Sequence, residues 1–151
     1  SGDGINHGTM FYQAAKEGIV DPSTSIQIGI RTTNDDTLGY EIASAIDVHD
    51  QGTAEIIRRI RERVGNNPAY ITFDIDCLDP AFAPGTGTPV PGGLSSYQAL
   101  AILRGLVGIN LVGMDVVEVA PAYDHAELTA LAGAQIGIEL LALYAECRQA
   151  R

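Results

Sequence analysis

Asp74 and Asp76 follow the β-branched and aromatic run Ala69-Tyr70-Ile71-Thr72-Phe73, and Glu118 follows the run 111–117. On an extended backbone residues two apart project to the same face, so this spacing puts both Asp carboxylates on one side. Carboxylates held that close repel one another unless a cation lies between them. Hard divalent ions such as Mg²⁺ or Mn²⁺ suit such oxygen ligands. The alternative is that both aspartates cap the following loop, as Asp does in turns. Spacing alone leaves both readings open. Glu118, flanked by Val117 and Val119, also fits a salt-bridged structural acid. Asp79-Pro80 has the form of a turn initiator. His7 sits in the short polar loop Asn6-His7-Gly8-Thr9, where a histidine taken alone is more often inert than catalytic.

The elements that must position these groups alternate along the chain. Ser25-Ile26-Gln27-Ile28-Gly29-Ile30-Arg31 alternates apolar and polar residues over a strand's length. Residues 53–64 place Ile56, Ile60 and Val64 on one face, which predicts an amphipathic helix closed by Gly65 and Asn66-Asn67-Pro68. The runs 69–73 and 111–117 are predicted strands, the second apolar enough for a central parallel strand. Between them, residues 77–94 hold four prolines and four glycines, which excludes regular structure and predicts a long loop, ordered or disordered. A long loop in a compact domain is usually functional. Ser95 and Gln98 form a capping box for a helix burying Leu100, Leu103 and Val107. Asp124-His125-Ala126-Glu127 has the pattern of a second box, opening a long helix over 125–147 with apolar residues on more than one face. Such a helix is buried on two sides or packs one side against another subunit. This strand–helix alternation predicts an α/β fold with a largely parallel sheet, in a single domain over residues 1–151.

Composition narrows the function. The chain has 151 residues, 46% hydrophobic, which is enough for a core and excludes wholesale disorder. Nine Lys and Arg against 19 Asp and Glu give a net charge of −10. That balance disfavours nucleic acid, which needs clustered cations, and mildly favours a cationic small molecule. No uninterrupted apolar run reaches the length of a membrane span, and no signal peptide is visible, so a cytoplasmic location is expected. Cys77 and Cys147 are too few and too far apart for a disulfide scaffold.

The stretch Asp74-Ile75-Asp76-Cys77-Leu78-Asp79-Pro80, with Phe82-Ala83-Pro84-Gly85-Thr86-Gly87-Thr88-Pro89 and Gly92-Gly93-Leu94, closely resembles the metal-binding signature of the ureohydrolase (arginase/agmatinase) family. His7-Gly8-Thr9-Met10-Phe11, Gln27-Ile28-Gly29-Ile30-Arg31 and Gly113-Met114-Asp115-Val116-Val117-Glu118-Val119-Ala120-Pro121 match in the same order, with wording more like agmatinases than arginases. The resemblance covers essentially the whole chain. It implies a three-layer α/β/α fold with a binuclear Mn²⁺ centre at the strand ends, and Asp74 and Asp76 match the signature's two metal ligands. His7 matches the histidine that shuttles a proton to the leaving amine. Glu118 matches the acid that pairs with the substrate guanidinium. Asp79 then fixes the loop without touching metal. The implied reaction is hydrolysis of a guanidino compound, agmatine above all, to urea and an amine such as putrescine, a step of polyamine biosynthesis. Guanidinobutyrate is the alternative substrate, and a non-catalytic α/β assembly module the alternative class.

Family members carry further metal ligands upstream, in Gly-Gly-Asp-His and Asp-Ala-His-x-Asp segments that this sequence lacks; His49 and His125 do not replace them. The chain therefore reads as the C-terminal half of a longer enzyme, truncated on its N-terminal side and inactive alone. Sheet edges left open by that truncation, or the 125–147 helix, are expected to drive self-association.

Overall fold

A computed structural model describes residues 6–33 and 36–149. The regular elements are α1 (Met10–Lys16), β1 (Ile26–Ile30), β2 (Glu41–Ser44), α2 (Ala45–Val64), β3 (Ala69–Asp74), α3 (Ser96–Arg104), β4 (Leu111–Val117) and α4 (Leu128–Gln149). All described strand pairing is parallel, as expected, but it falls into two pairs, β1 with β2 and β3 with β4. Parallel neighbours need a crossover: residues 31–40 make it between β1 and β2, and residues 75–110, α3 among them, make it between β3 and β4. α2 packs on β1 and β2, α4 packs on β4, and α3 bridges α2 and α4. One core joins the two pairs. Ala43, Ile56, Ile60, Phe73, Ile102, Leu103, Leu111 and Leu140 all lie in it.

The predicted strands and helices recur with shifted bounds. α2 starts well before residue 53, because Ser44 and Asp47 form a capping box that the sequence reading passed over. Gly52, at φ 79°, kinks the helix where the predicted segment begins. α3 has the expected Ser95–Gln98 box, but it ends at Arg104. Val107 therefore lies beyond the helix and is exposed, and Ile102 takes the buried position. The second predicted box does not form. Ala126 and Glu127 have φ of 50° and 60°, values no right-handed helix admits, so α4 begins at Leu128 and runs to Gln149. Asp124 caps it differently, accepting from the backbone N–H of Thr129 and of Ala130.

Only one stripe of α4 is buried: Thr129, Gly133, Ile136, Leu140, Leu143 and Cys147. Leu131, Ile138 and Leu141 on the opposite side are exposed. Although Glu139 and Glu146 interrupt its apolar sequence, α4 is long and apolar enough to cross a bilayer by length and composition. In this structure one stripe of it packs into the core, and the large apolar side chains on its opposite side are exposed. A shallow groove of about 430 Å³ runs between β4 and α4, lined by Met114, Val116, Ile138 and Leu141 among others, and contains none of the predicted site residues.

Candidate functional site

Register places the carboxylates. β3 and β4 run parallel with Asp74 opposite Val117, so both strands end together and Glu118 follows one residue beyond the last pair. Ligand sites in open α/β sheets lie beyond such carboxyl ends. The sequence argument for Asp76 needs correction here. The strand stops at Asp74, and Ile75–Cys77 form a turn of 3-10 helix rather than extended chain. Asp74 Oδ1 accepts the Asp76 backbone N–H at 3.0 Å. The capping role and the clustering of the two acids are thus both present, and it is the turn, not a strand's pleat, that brings them together.

Among the described residues, Asp74 is the acid whose carboxyl is raised. Partial burial pushes its carboxyl up to about 6; the Asp76 N–H opposes that shift, and the charges of Asp76 and Glu118 reinforce it. Glu118 has φ 64°, a left-handed conformation uncommon for a residue with a side chain and shared among the described residues with Leu38, Ala126 and Glu127. Its Oε1 lies 3.3 Å from Nδ1 of His7, across 111 residues of sequence. The His7 ring is otherwise open to solvent, with its side chain 94% exposed. Local polar bonds shape its turn: the Gly8 N–H donates to Asn6 Oδ1, and the Thr9 N–H to the Asn6 carbonyl.

Asp79 points elsewhere. Its carboxylate accepts the N–H groups of Ala81, Gly92 and Gly93, and those bonds hold its pKa below the usual carboxylate value. It closes the Pro/Gly loop on itself, as a residue that fixes the loop should. The loop is ordered by further ties. Leu78 and Leu94 form a parallel bridge, and the Gly85 N–H donates to the fully buried Thr129 hydroxyl at 2.7 Å. The Gly85 carbonyl accepts the Ala120 N–H at 2.8 Å, joining the loop to the segment just after Glu118. Only glycine fits there, because a Cβ on residue 85 would lie 2.6 Å from Cβ of Asp124.

Residues that sequence reasoning gave no role also shape the site. The Thr88 hydroxyl donates to Asp76 Oδ2 at 2.8 Å. Arg31 donates to the Asp76 carbonyl at 2.6 Å. His49 lies with Nε2 3.1 Å from the Gly93 carbonyl, while the Gln98 amide nitrogen approaches its Nδ1 at 3.3 Å. Both Thr88 and Arg31 stand within the family-like stretches, but only a three-dimensional contact reveals what each one holds. Burial, then the charges of Asp74 and Asp76, push the Cys77 thiol up to about 12, which disfavours its thiolate at neutral pH.

Asp74 and Asp76 offer hard oxygen donors, and their mutual repulsion is what a bound divalent cation would relieve. They fit part of a ligand set and not a whole one. Among the described residues no three His, Cys, Asp or Glu side chains converge closely enough to hold an ion.

A protein-family model described as the Arginase family matches residues 1–142. The agmatinase of Chromobacterium violaceum is 58% identical over 143 residues, covering 95% of this chain and 44% of that protein. The X-ray structure of a hypothetical agmatinase from Burkholderia thailandensis superposes with a TM-score of 0.94 at 61% identity, covering 99% of this chain and 48% of that one. Proclavaminate amidino hydrolase from Streptomyces clavuligerus superposes with a TM-score of 0.89 at 43% identity, covering 94% and 50%. The chain thus spans about half the length of the relatives it matches.

Proposed function

This chain belongs to the arginase family, and on that premise we propose that it forms part of an agmatinase-like, manganese-dependent amidinohydrolase that releases urea and an amine from a guanidino compound. The observation that carries the reading is the meeting of two pairs at adjacent parallel strand ends: Asp74 with Asp76, and His7 with Glu118. Agmatine is the favoured substrate and putrescine its amine product, a step of polyamine biosynthesis in the cytoplasm. Neither nucleic acid nor membrane is a partner.

Asp74 and Asp76 would hold the metal, with further ligands from outside these residues. When bound, paired Mn²⁺ ions supply the Lewis acidity that makes water a competent nucleophile at neutral pH. Glu118 orients the cationic guanidinium by a charge-assisted contact. A departing amine needs a proton. His7 is suited to deliver it from Nε2, since Nδ1 faces Glu118 and the ring is open to solvent.

The test is a chimera in which these residues replace the matching 143 residues of the Chromobacterium violaceum agmatinase. Loaded with Mn²⁺, it is expected to release urea from agmatine, and the 151 residues alone to release none and to retain almost no manganese after desalting. Urea from the chain alone overturns the incompleteness; none from the chimera with any guanidino compound overturns the reading. The likeness to an amidino hydrolase of a different compound favours running a panel that includes guanidinobutyrate. The exposed α4 face and the open strand edges support self-association. Light scattering at tens of micromolar is expected to show more than a monomer, and Leu141→Glu to reduce it.

A further inference from the structure

The segment that carries His7 has little of its own to hold it in place. α1 is seven residues long, too short to persist on its internal bonds. None of its residues is buried, and the Thr9 side chain does not cap it. From the rest of the fold, Glu118 meets His7 at 3.3 Å, and the Tyr40 hydroxyl donates to the Phe11 carbonyl at 3.0 Å. The first contact is open to solvent on the histidine side and makes a poor anchor. The second comes from a buried ring. A carbonyl has two lone pairs, so this bond adds to the helix's own rather than replacing it. Tyr40 is itself firmly based. It stands directly before β2, and its N–H donates to the Thr37 carbonyl at 2.8 Å. Arg63 of α2 donates to the Gly39 carbonyl beside it and to the Pro22 carbonyl at 2.9 Å. Burial raises the Tyr40 phenol pKa, so the hydroxyl stays a donor well above neutral pH.

The geometry points to Tyr40 as a positioning residue: its hydroxyl ties α1 to the start of β2 and so holds His7 against Glu118. Phe11 lies four residues after His7, about one helical turn away, so little chain is left to swing between the tether and the ring. A proton carrier must lie within about 3 Å of the atom it serves, a tolerance that a loose segment exceeds. Facing a carboxylate, Nδ1 is best met as an N–H donor, which leaves Nε2 as the nitrogen that gains and loses a proton. Tyr40 acts on that choice through α1, without touching any reacting atom. The consequence for catalysis rests on the role proposed for His7 above. The hold on the His7–Glu118 contact does not. Phenylalanine in place of Tyr40 fills the same space and loses the tether alone.

The test uses the whole 151-residue chain without metal, read by nitrogen NMR of its three histidine rings at about pH 9, where an imidazole is neutral. In the unaltered chain His7 is expected to favour the Nδ1–H tautomer relative to the exposed His125. Tyr40→Phe is expected to bring the His7 ring toward the His125 pattern. It is also expected to speed exchange of the α1 amides about fivefold, the worth of one hydrogen bond. Amide spectra of β3, β4 and α4 show whether the variant is folded. In a Glu118→Gln chain the same substitution is expected to speed α1 exchange and leave the His7 ring as it was. Faster exchange with no change at His7 in the chain that keeps Glu118 overturns the proposal and leaves Tyr40 a structural tether. No change in either readout overturns the tether as well. A His7 ring that matches His125 from the outset overturns the fixed contact, and a globally unfolded Tyr40→Phe chain overturns the local role. In the Mn²⁺-loaded chimera Tyr40→Phe is expected to lower kcat about fivefold with KM little changed, and to have no further effect once His7 is replaced by Ala. A loss that persists in the His7→Ala background overturns the route through His7. A chimera inactive on every guanidino compound sinks the functional reading and leaves the NMR outcomes to decide this one.

Discussion

Asp74 and Asp79 lie five residues apart in one motif, yet the fold treats them oppositely. Asp79 is surrounded by donors: three backbone N–H groups converge on it, and its pKa falls. Asp74 receives one N–H, is partly buried, and faces two other acids, so its carboxyl rises to about 6. Asp124 repeats the Asp79 pattern at the start of α4. Burial alone would raise it, but N–H groups from Thr129, Ala130 and His125, with the Thr129 side chain, outweigh that and bring it down to about 2. An acid that a fold uses for its own architecture is satisfied internally. An acid left short of donors and close to its own kind costs stability, a cost that a bound cation would relieve.

The contrast can be broken by substitution. Asp74→Asn and Asp76→Asn in the chimera are expected to take urea release to background, while the melting temperature of the 151-residue chain stays level or rises, because a repelled charge is removed. Asp79→Asn is expected to do the reverse to stability, lowering the melting temperature by placing an amide NH₂ against N–H donors. If both classes of variant lose stability equally, the distinction fails. Next in size is Gly85→Ala, which forces a methyl into Asp124 and should cost about 2 kcal/mol in denaturant unfolding. The smallest effect is in pH. Asp124 and Asp79 are depressed in the folded chain, so their contribution is present above the unfolded carboxylate pKa of about 3.9 and is lost as pH falls through the folded values. For Asp124 that window extends down to about 2. Melting temperature is expected to decline with acidification there, and less steeply in Asp124→Asn.

Much of this was legible in the sequence. Period-two alternation and apolar runs located β1, β3 and β4, and the Ser95–Gln98 box located α3, because those signals are local and the structure obeys them. The α/β fold and family membership followed from long motifs in order. What failed was also local. Ala126 and Glu127 look helical, yet both are exposed and take positive φ where the Asp124 carboxylate reaches past them to the N–H groups of Thr129 and Ala130. β2 is four residues long and carries too little periodicity to register. The candidate site was partly legible: spacing raised Asp74 and Asp76, and the family resemblance nominated His7 and Glu118 beside them. The 3-10 turn at residues 75–77 is local but breaks the extended spacing assumed for the two acids, and the Thr88 bond and the Arg31 bonds are contacts across 12 to 59 residues, which no spacing rule encodes.

The separation of 111 residues between His7 and Glu118 has a kinetic meaning. Closing a chain loop of that length carries an entropic cost that must be met before the contact returns anything. The Asp74–Asp76 turn can form as soon as residues 74–77 are free to fold, whereas His7 meets Glu118 only after β4 has docked beside β3. During synthesis His7 emerges before Glu118 and waits for the 111 residues that separate them. The acid turn is thus built early, and the histidine–glutamate contact that completes the pairing should be among the last to form.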